Sequence, residues 1–214
     1  MLNTNTHLLL PLLIFSPLIT SAPATPSNQV CGTIQPPSNF YQIYEEEQFT
    51  TQTSGLGPFF PSGEFSFATQ QEANNVNERD LIASFKNIPC PPAGRGPYNV
   101  EFNFVPDSRY TASGNTRIDV FAINGDLPSL TFQGGEVSEY PTWGSTNRQT
   151  GSLIGTFTLP TGADARTPRV FFINSVVCRP TINLRFSITN DSPAAGSVNY
   201  FSGPQAGLRI RYGC

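Results

Sequence analysis

The chain has 214 residues, with 12 Lys and Arg against 15 Asp and Glu, a formal charge of −3 at pH 7 and a pI near 5.1. Charged residues make up 13% of the sequence, about half the usual share of a soluble protein, and Lys86 is the only lysine. A nucleic-acid-binding surface needs several cations close together, so this composition disfavours nucleic acid as a partner. The length suits one domain rather than two.

The N-terminal segment is apolar and uncharged. Residues 1–44 contain no Asp, Glu, Lys or Arg, and an apolar run extends from Leu8 to about Ile19. The run matches the hydrophobic region of a secretory signal peptide and is too short to cross about 30 Å of hydrocarbon. We predict a signal peptide over residues 1–24, export to the extracellular space and no membrane span. A membrane anchor or a disordered apolar leader fits less well, because two prolines interrupt the run.

Residues 25–39 are mostly Pro, Ser, Thr, Gln and Asn, which predicts a short extended polar leader before a single domain over residues 40–214. In that domain apolar and polar residues alternate with the two-residue period of a half-buried strand. The clearest case runs from Ile182 to Thr189, where the polar set is expected to face solvent. The strands predicted in this way are 40–44, 65–68, 81–85, 100–104, 118–122, 153–159, 170–176, 182–188, 198–201 and 208–212.

One apolar face per strand favours antiparallel sheets packed across a common core, whereas a helix-covered parallel sheet would show continuous apolar runs. The 18 Gly and 20 Pro supply the turns between the strands. The predicted fold class is therefore all-β, an antiparallel, jelly-roll-like sandwich of two sheets. Residues 69–80 are polar apart from Ala73 and Val76 and lack the apolar stripe of a helix, so we expect a loop there.

The cysteines are Cys31, Cys90, Cys178 and Cys214. An even number of cysteines in an exported chain indicates two disulfide bonds, for which three pairings exist. Because the first and last strands of a sandwich often lie side by side, the preferred pairing is Cys31 with Cys214, leaving Cys90 with Cys178. The cysteines lack the close pairs typical of a tetrathiolate zinc site, which disfavours a metal.

The sole histidine, His7, would leave with the signal peptide. The mature chain would then lack the base of a Ser-His-Asp or Cys-His system and the commonest ligand of zinc and copper sites. Oxidised cysteines would not serve as nucleophiles. We therefore expect a protein that is not an enzyme, with no catalytic residues, no metal and no cofactor.

Carboxylate pairs are the remaining route to catalysis, since glycoside hydrolysis needs only two of them at a suitable separation. Glu101 and Asp119 lie on the polar sides of predicted strands, and Glu136 and Glu139 lie in a later loop. The three consecutive glutamates at 45–47 lack the spaced oxygens of a calcium loop. With 15 acidic residues in the chain, a solvated surface is the favoured interpretation of all of them.

The segment 139–148 has the composition of a ligand-binding loop. Tyr140, Trp143, Asn147 and Arg148 combine aromatic rings with amide and guanidinium groups, the means by which sugar-binding sandwiches stack on a pyranose and bond its hydroxyls. The simpler alternative, which we favour, is that the only tryptophan fills a core or pins a loop. A stacking platform requires a solvent-exposed ring.

One N-glycosylation sequon is present, at Asn190-Asp191-Ser192. Pro193 follows it directly, which leaves the occupancy of Asn190 open. The motif predicts an exposed loop of an exported protein.

Five further segments are notable: Leu81-Ile82-Ala83-Ser84-Phe85-Lys86-Asn87-Ile88-Pro89, Val100-Glu101-Phe102-Asn103-Phe104-Val105-Pro106, Gly114-Asn115-Thr116-Arg117-Ile118-Asp119-Val120-Phe121, Val177-Cys178-Arg179-Pro180 and Gly207-Leu208-Arg209-Ile210-Arg211-Tyr212-Gly213-Cys214. In these segments the chain resembles, over residues 40–214, the fungal But2 C-terminal domain, also called the ubiquitin 3 binding protein But2 C-terminal domain. The resemblance implies a mostly β domain of secreted fungal proteins without established enzymatic activity. The partner in the family name is cytosolic, so that role is not transferred to an exported chain.

Together these features favour a secreted, disulfide-stapled, non-catalytic β-sandwich that acts by surface binding or as a cell-wall or extracellular component. The alternative is a carbohydrate-binding or glycan-cleaving jelly roll that uses Trp143 and its neighbours. A third hypothesis is an effector directed at a host protein. The expected partner is thus extracellular, either a cell-wall polysaccharide or a host protein.

Overall fold

The alternation of apolar and polar residues corresponds to strands in the computed structural model of the chain, which describes residues 32–46, 65–90, 98–127, 130–131, 137–138, 141–203 and 205–213. Within these ranges the strands are antiparallel and form two main sheets. The predicted all-β antiparallel sandwich is confirmed. The predicted signal peptide and the residues Cys31, Glu136, Glu139, Tyr140 and Cys214 lie outside the described part.

The smaller sheet has four strands. In spatial order these are β1 (Thr33–Gln35), β14 (Gly207–Tyr212), β5 (Tyr98–Phe104) and β11 (Arg169–Val176). Strand β1 lies within the segment assigned to the leader, and it pairs with the last strand in the register Thr33 to Tyr212. The sandwich therefore begins before Phe40.

The larger sheet has eight strands. Seven follow one another in the order β10 (Thr150–Thr158), β7 (Arg117–Ile123), β12 (Ile182–Ile188), β4 (Val76–Phe85), β3 (Phe65–Glu72), β13 (Gly196–Ser202) and β6 (Thr111–Gly114), and β2 (Asn39–Tyr44) also pairs with β4. The remaining elements are the short pair β8 (Leu130–Thr131) and β9 (Val137–Ser138), the helix α1 (Trp143–Asn147) and a 3₁₀ helix (Gly162–Arg166).

The main core lies between the two sheets and consists of alternate residues from both. Phe102 on β5 packs within 5.3 Å of the Phe157 ring on β10 and 5.2 Å of the Tyr200 ring on β13, measured between ring centroids. Phe186 on β12 is fully buried in the same cluster. These aromatic contacts join strands of both sheets, which explains the richness of the sequence in Phe and Tyr.

The loop predicted over residues 69–80 is wrong. This segment contains the end of β3, a tight turn and the first half of β4. Asn74 and Asn75 in the turn have φ of 66° and 59°, the left-handed conformation that Asn tolerates well and that hairpin turns require. Gln71, Glu78 and Asp80 are buried polar residues of this segment, and Gln71 Nε2 donates to Glu78 at 3.3 Å, whereas Gln70 and Glu72 are exposed.

The solvent-facing side predicted for β12 is also wrong. Asn183, Arg185, Ser187 and Thr189 are all buried, although their side chains lie on the face of the larger sheet away from the main core. A second, smaller core covers this outer face. It contains Tyr41, Ile43, Ile82, Ile123 and Trp143.

A disulfide joins Cys90 to Cys178, with their Cα atoms 5.7 Å apart, so this half of the expected pairing is confirmed. The edge strands β10 and β11, one from each sheet, also contact each other. Asn174 Nδ2 donates to the carbonyl of Ile154 across this seam. The seam links the larger sheet to the smaller one at their neighbouring edges.

Candidate functional site

The residues of the predicted ligand loop that the structure describes fix a helix to the larger sheet. Thr142 caps α1 by accepting a hydrogen bond from the backbone N–H of Ser145, and the Ser145 hydroxyl accepts one from the Thr142 N–H. This capping box starts the helix directly at Trp143. The sequence Thr142-Trp143-Gly144-Ser145 thus encodes a short capped helix where we expected a loop.

Trp143 is 8% exposed, so its ring is not a solvent-facing platform. The Arg185 guanidinium lies 4.3 Å from the centroid of the ring, a cation–π contact in a desolvated position. Asn147 Oδ1 accepts from Arg185 Nη1 at 3.4 Å. Arg148, the last residue of the predicted loop, is exposed at the C-terminal end of α1. The tryptophan therefore pins the helix, as the simpler alternative proposed.

Buried carboxylates lie beneath this contact. Arg185 Nε donates to Asp80 Oδ2 at 2.5 Å, and Asp80 is fully buried. Burial raises the pKa of Asp80, an effect that the Arg185 charge opposes. Burial, followed by the neighbouring Asp80 charge, also raises the pKa of Glu78, two residues earlier on β4. The pattern is that of an ion-paired structural network.

The carboxylates singled out from the sequence are not brought together. Glu101 lies on the outer face of the smaller sheet, where it accepts hydrogen bonds from Arg209 at 3.0 Å and Arg211 at 3.1 Å. Asp119 lies on the outer face of the larger sheet and accepts one from Thr156 at 2.5 Å. The two sheets separate these residues, so they do not form an acid–base pair.

The sequon residue Asn190 is exposed in the turn between β12 and β13. Its carbonyl accepts a weak hydrogen bond from Asn75 at 3.4 Å, and its side-chain oxygen accepts one from Gln71. The exposed position is the one that the sequon predicts.

A cleft lies at the disulfide end of the sandwich. It consists of two adjoining cavities of about 530 Å³ and 250 Å³, which share Asp126, Thr181 and Asn183. We call the combined space the end cleft. The larger cavity falls within the size range of small-molecule sites, about 300–1,000 Å³.

One wall of the end cleft is the segment 176–182, which joins β11 to β12. The disulfide at Cys178 fastens this segment to Cys90, and the Ile88 N–H donates to the Pro180 carbonyl at 3.0 Å. Val177 at the mouth is 80% exposed. The cross-link therefore holds an apolar wall in place beside β12.

The floor of the end cleft carries two polar atoms without partners among the described residues. Ser84 on β4 and Asn183 on β12 are directly paired positions of adjacent strands. Ser84 is fully buried and Asn183 is 4% exposed, and neither the Ser84 hydroxyl nor Asn183 Oδ1 has a hydrogen bond. Both atoms lie below the surface of the smaller cavity, which Ser84 and Asn183 line.

Charged groups line the rim of the end cleft. Lys86 and Asp126 line the smaller cavity, and Arg179 and Asp126 line the larger one. All three side chains are exposed. The rim thus carries charges of both signs above a neutral floor.

A scan of the chain against protein-family models finds no match, and a search of curated proteins finds no significant similarity. No helix in the described ranges has the length and apolarity needed to cross a bilayer.

Sequence reasoning missed the end cleft entirely. Ser84 and Asn183 are polar residues on alternating strands, a pattern typical of a solvated face. Only the pairing of β4 with β12, together with the helix and second core that cover this face, makes them buried neighbours. The one available signal was Cys178, which marks the wall of the cleft.

Proposed function

We propose that this chain is an exported, non-catalytic β-sandwich of the But2 type that binds an extracellular component in the end cleft. The observation that carries the proposal is the larger cavity of the end cleft, about 530 Å³, whose wall is fastened by the Cys90–Cys178 disulfide. The expected component is a cell-wall polysaccharide or a host protein.

Two further observations support binding rather than catalysis. The ion-paired Asp80 and Glu101 each hold an arginine, which suits a structural role. The disulfide wall is compatible with an oxidising compartment, as export would require. The alternative site at Trp143 gains no support, because its ring lies under Arg185.

The proposal is tested by retention of the purified secreted protein on an insoluble fungal cell-wall fraction and on immobilised host extracellular proteins. Val177→Arg places a charged, bulky side chain at the mouth of the end cleft and is expected to lower retention about tenfold, the effect of losing about 1.4 kcal/mol. Val76→Arg changes another exposed valine, on β4 far from the cleft, and should be retained like the wild type.

Equal retention of Val177→Arg and wild type would show that the end cleft is not the binding site. Release of soluble sugar from the wall fraction by the wild type would contradict the absence of catalysis.

A further inference from the structure

We propose that Asn124, which lines the end cleft, is a site of spontaneous deamidation that converts its neutral amide into a carboxylate. Asn124 and Gly125 form the only Asn-Gly pair of the sequence. The pair follows directly after β7 and lines the larger cavity of the cleft. The inference rests on the chemistry of this pair and on its contacts, so it does not depend on the proposed function.

Deamidation needs only the chain and water. The backbone nitrogen of Gly125, after its proton passes to a base in solvent, attacks Cγ of Asn124 and forms a new N–C bond. The Cγ–Nδ2 bond breaks, and ammonia departs from the resulting succinimide ring. Water then opens the ring, at the side-chain carbonyl to give aspartate or at the backbone carbonyl to give isoaspartate.

The attacking nitrogen is accessible. Gly125 is exposed, has a φ of 84° and lies in a bend. A Cβ built on it would meet no atom within 4 Å apart from its chain neighbours, and its N–H donates to no acceptor in the described ranges. Because glycine has no side chain beside this nitrogen, ring closure meets little steric resistance.

The Asn124 amide is not held by a hydrogen bond either. The residue is exposed, and its side chain lies beside Gly151 on β10, where a built Cβ would be 2.8 Å from Nδ2. Within the part of the chain that the structure describes, Asn124 is held through its backbone N–H, which donates to the Gln149 carbonyl at 3.0 Å. Rotation of the amide toward the Gly125 nitrogen therefore breaks none of the described hydrogen bonds.

The pair Asn174-Ser175 on β11 is the informative contrast, because serine is also a small residue after an asparagine. Here both reacting groups are held. Asn174 Nδ2 donates to the Ile154 carbonyl, and the Ser175 N–H donates to Asn174 Oδ1 at 2.7 Å. Ring closure would have to break both bonds, so we expect the folded chain to protect Asn174 while it leaves Asn124 reactive.

Either product would change the wall of the end cleft. Asp126 and Arg179 line the same cavity, and a carboxylate at position 124 would add a second acid beside them. The formal charge of the chain, −3, would become one unit more negative. Isoaspartate would also lengthen the backbone next to Gly125, whose carbonyl accepts a hydrogen bond from Asn183 at 3.2 Å.

The experiment follows both asparagines over time. The purified protein is incubated at mildly alkaline pH, once folded and once unfolded in urea, and peptides are mapped by mass spectrometry. Replacement of –NH₂ by –OH raises the mass of a peptide by nearly one unit, and enzymatic methylation identifies isoaspartate. In the folded protein the Asn124 peptide should be modified and the Asn174 peptide should stay intact, whereas in urea both should react.

Gly125→Ala tests the attacking group. It keeps Asn124 and places a methyl group beside the nitrogen, so most of the modified peptide should be lost, in urea as well as in the folded protein. Gly162→Ala is the matched control. Gly162 is also exposed, has a positive φ of 56° and leaves open space for a Cβ, so its variant should react at Asn124 like the wild type.

Modification of Asn124 in the folded wild type, lost in Gly125→Ala and kept in Gly162→Ala, supports the inference. An Asn124 peptide that stays intact in the folded protein but reacts in urea would show that the turn protects the pair, and would overturn it. An unchanged rate in Gly125→Ala would overturn the assignment of the Gly125 nitrogen as the attacking group.

Discussion

Arg185 connects three parts of the larger sheet's outer face. It pairs with Asp80 beneath it, lies against the ring of Trp143 and donates from Nη1 to Thr150 at 3.2 Å. The second carboxylate oxygen of Asp80 is buried and has no partner among the described residues. Removing the arginine would therefore leave a buried carboxylate without its ion-pair partner.

We predict that Arg185→Met lowers the free energy of unfolding by about 3–5 kcal/mol, because one partner of a buried ion pair is lost while the other stays. Urea unfolding at neutral pH measures the effect. The double variant Asp80→Leu/Arg185→Met should recover most of the loss, since an apolar pair can replace a buried ion pair with little change. A loss below about 1 kcal/mol in the single variant would mean that the pair is solvated like a surface one.

Tyr110 leads to a second prediction, which concerns the stability of the fold at alkaline pH. Its hydroxyl donates to the Pro160 carbonyl at 2.7 Å, and burial, with a smaller contribution from Tyr200, raises its pKa from 10 to about 12. Between these values the unfolded chain releases a proton that the folded chain retains. Stability should therefore fall as the pH rises from about 10 to about 12.

Urea unfolding of the wild type and of Tyr110→Phe at a series of pH values checks the predicted fall in stability. The variant loses a hydrogen bond at every pH, and its stability should decline less steeply through the alkaline range. Parallel declines in the two proteins would show that other groups dominate the titration.

At the scale of elements, the register of β1 against β14 bears on the second disulfide. Thr33 pairs with Tyr212 and Gln35 with Ile210. In the sequence, Cys31 lies two residues before Thr33 and Cys214 two residues after Tyr212. We therefore predict the Cys31–Cys214 bond, and with Cys90–Cys178 the oxidised protein should weigh four hydrogens less than its reduced form.

Peptide mapping without reduction should recover the Cys31 and Cys214 peptides as one linked species. Free thiols at these positions would contradict the prediction.

The Cys90–Cys178 bond closes a loop with a sequence separation of 88. In the loop-entropy model a bond of this span stabilises the fold by about 4–5 kcal/mol. The double variant Cys90→Ala/Cys178→Ala should lose a comparable amount in urea unfolding, and its retention should fall because the wall of the end cleft is released. A variant that unfolds earlier yet binds as well as the wild type would show that the bond does not shape the cleft.

The elements that the sequence predicts well are those that contact the main core. The apolar set from Ile182 to Ile188 faces the opposite sheet, so its two-residue period records which side chains contact the main core. The same reasoning fails for β3 and β4 between Gln70 and Asp80, because their buried residues there, such as Gln71 and Asp80, are polar rather than apolar. The paired asparagines Asn74 and Asn75 were the local sign of their hairpin.

The end cleft could not be predicted, because it depends on contacts between distant segments. Ser84 and Asn183 become neighbours only through strand pairing, and the wall at Val177 is held by a cysteine 88 residues from its partner. A period of two shows that residues share a face but not what covers it. The burial of Arg185 under Trp143 was hidden for the same reason.

At the scale of the whole molecule, the seam between β10 and β11 depends on a glycine. A Cβ atom built on Gly155 would lie 2.5 Å from the backbone carbonyl oxygen of Ile173, a separation that real side chains do not show. The two edge strands can approach this closely only because position 155 has no side chain. Close contact here brings together the edges of two different sheets.

We predict that Gly155→Val destabilises the fold by about 1–3 kcal/mol, the usual effect of overpacking, because the backbone of Ile173 must move. Thermal unfolding measures the change. Gly162→Ala is a control for the loss of a glycine, since a Cβ there meets open space and only its positive φ is strained. A Gly155→Val protein as stable as the wild type would show that the seam is loose.

Strand β11 carries Phe172, 60% exposed, and Val170, 52% exposed, on its outward face. An apolar edge strand with unpaired backbone N–H and C=O groups can pair with a strand of a second molecule and extend the sheet, which is the first step of fibre growth. Strand β10 packs against β11 and covers this edge. The packing is possible because Gly155 has no side chain. A substitution at position 155 that separates the two strands would therefore expose the edge of β11 to other molecules.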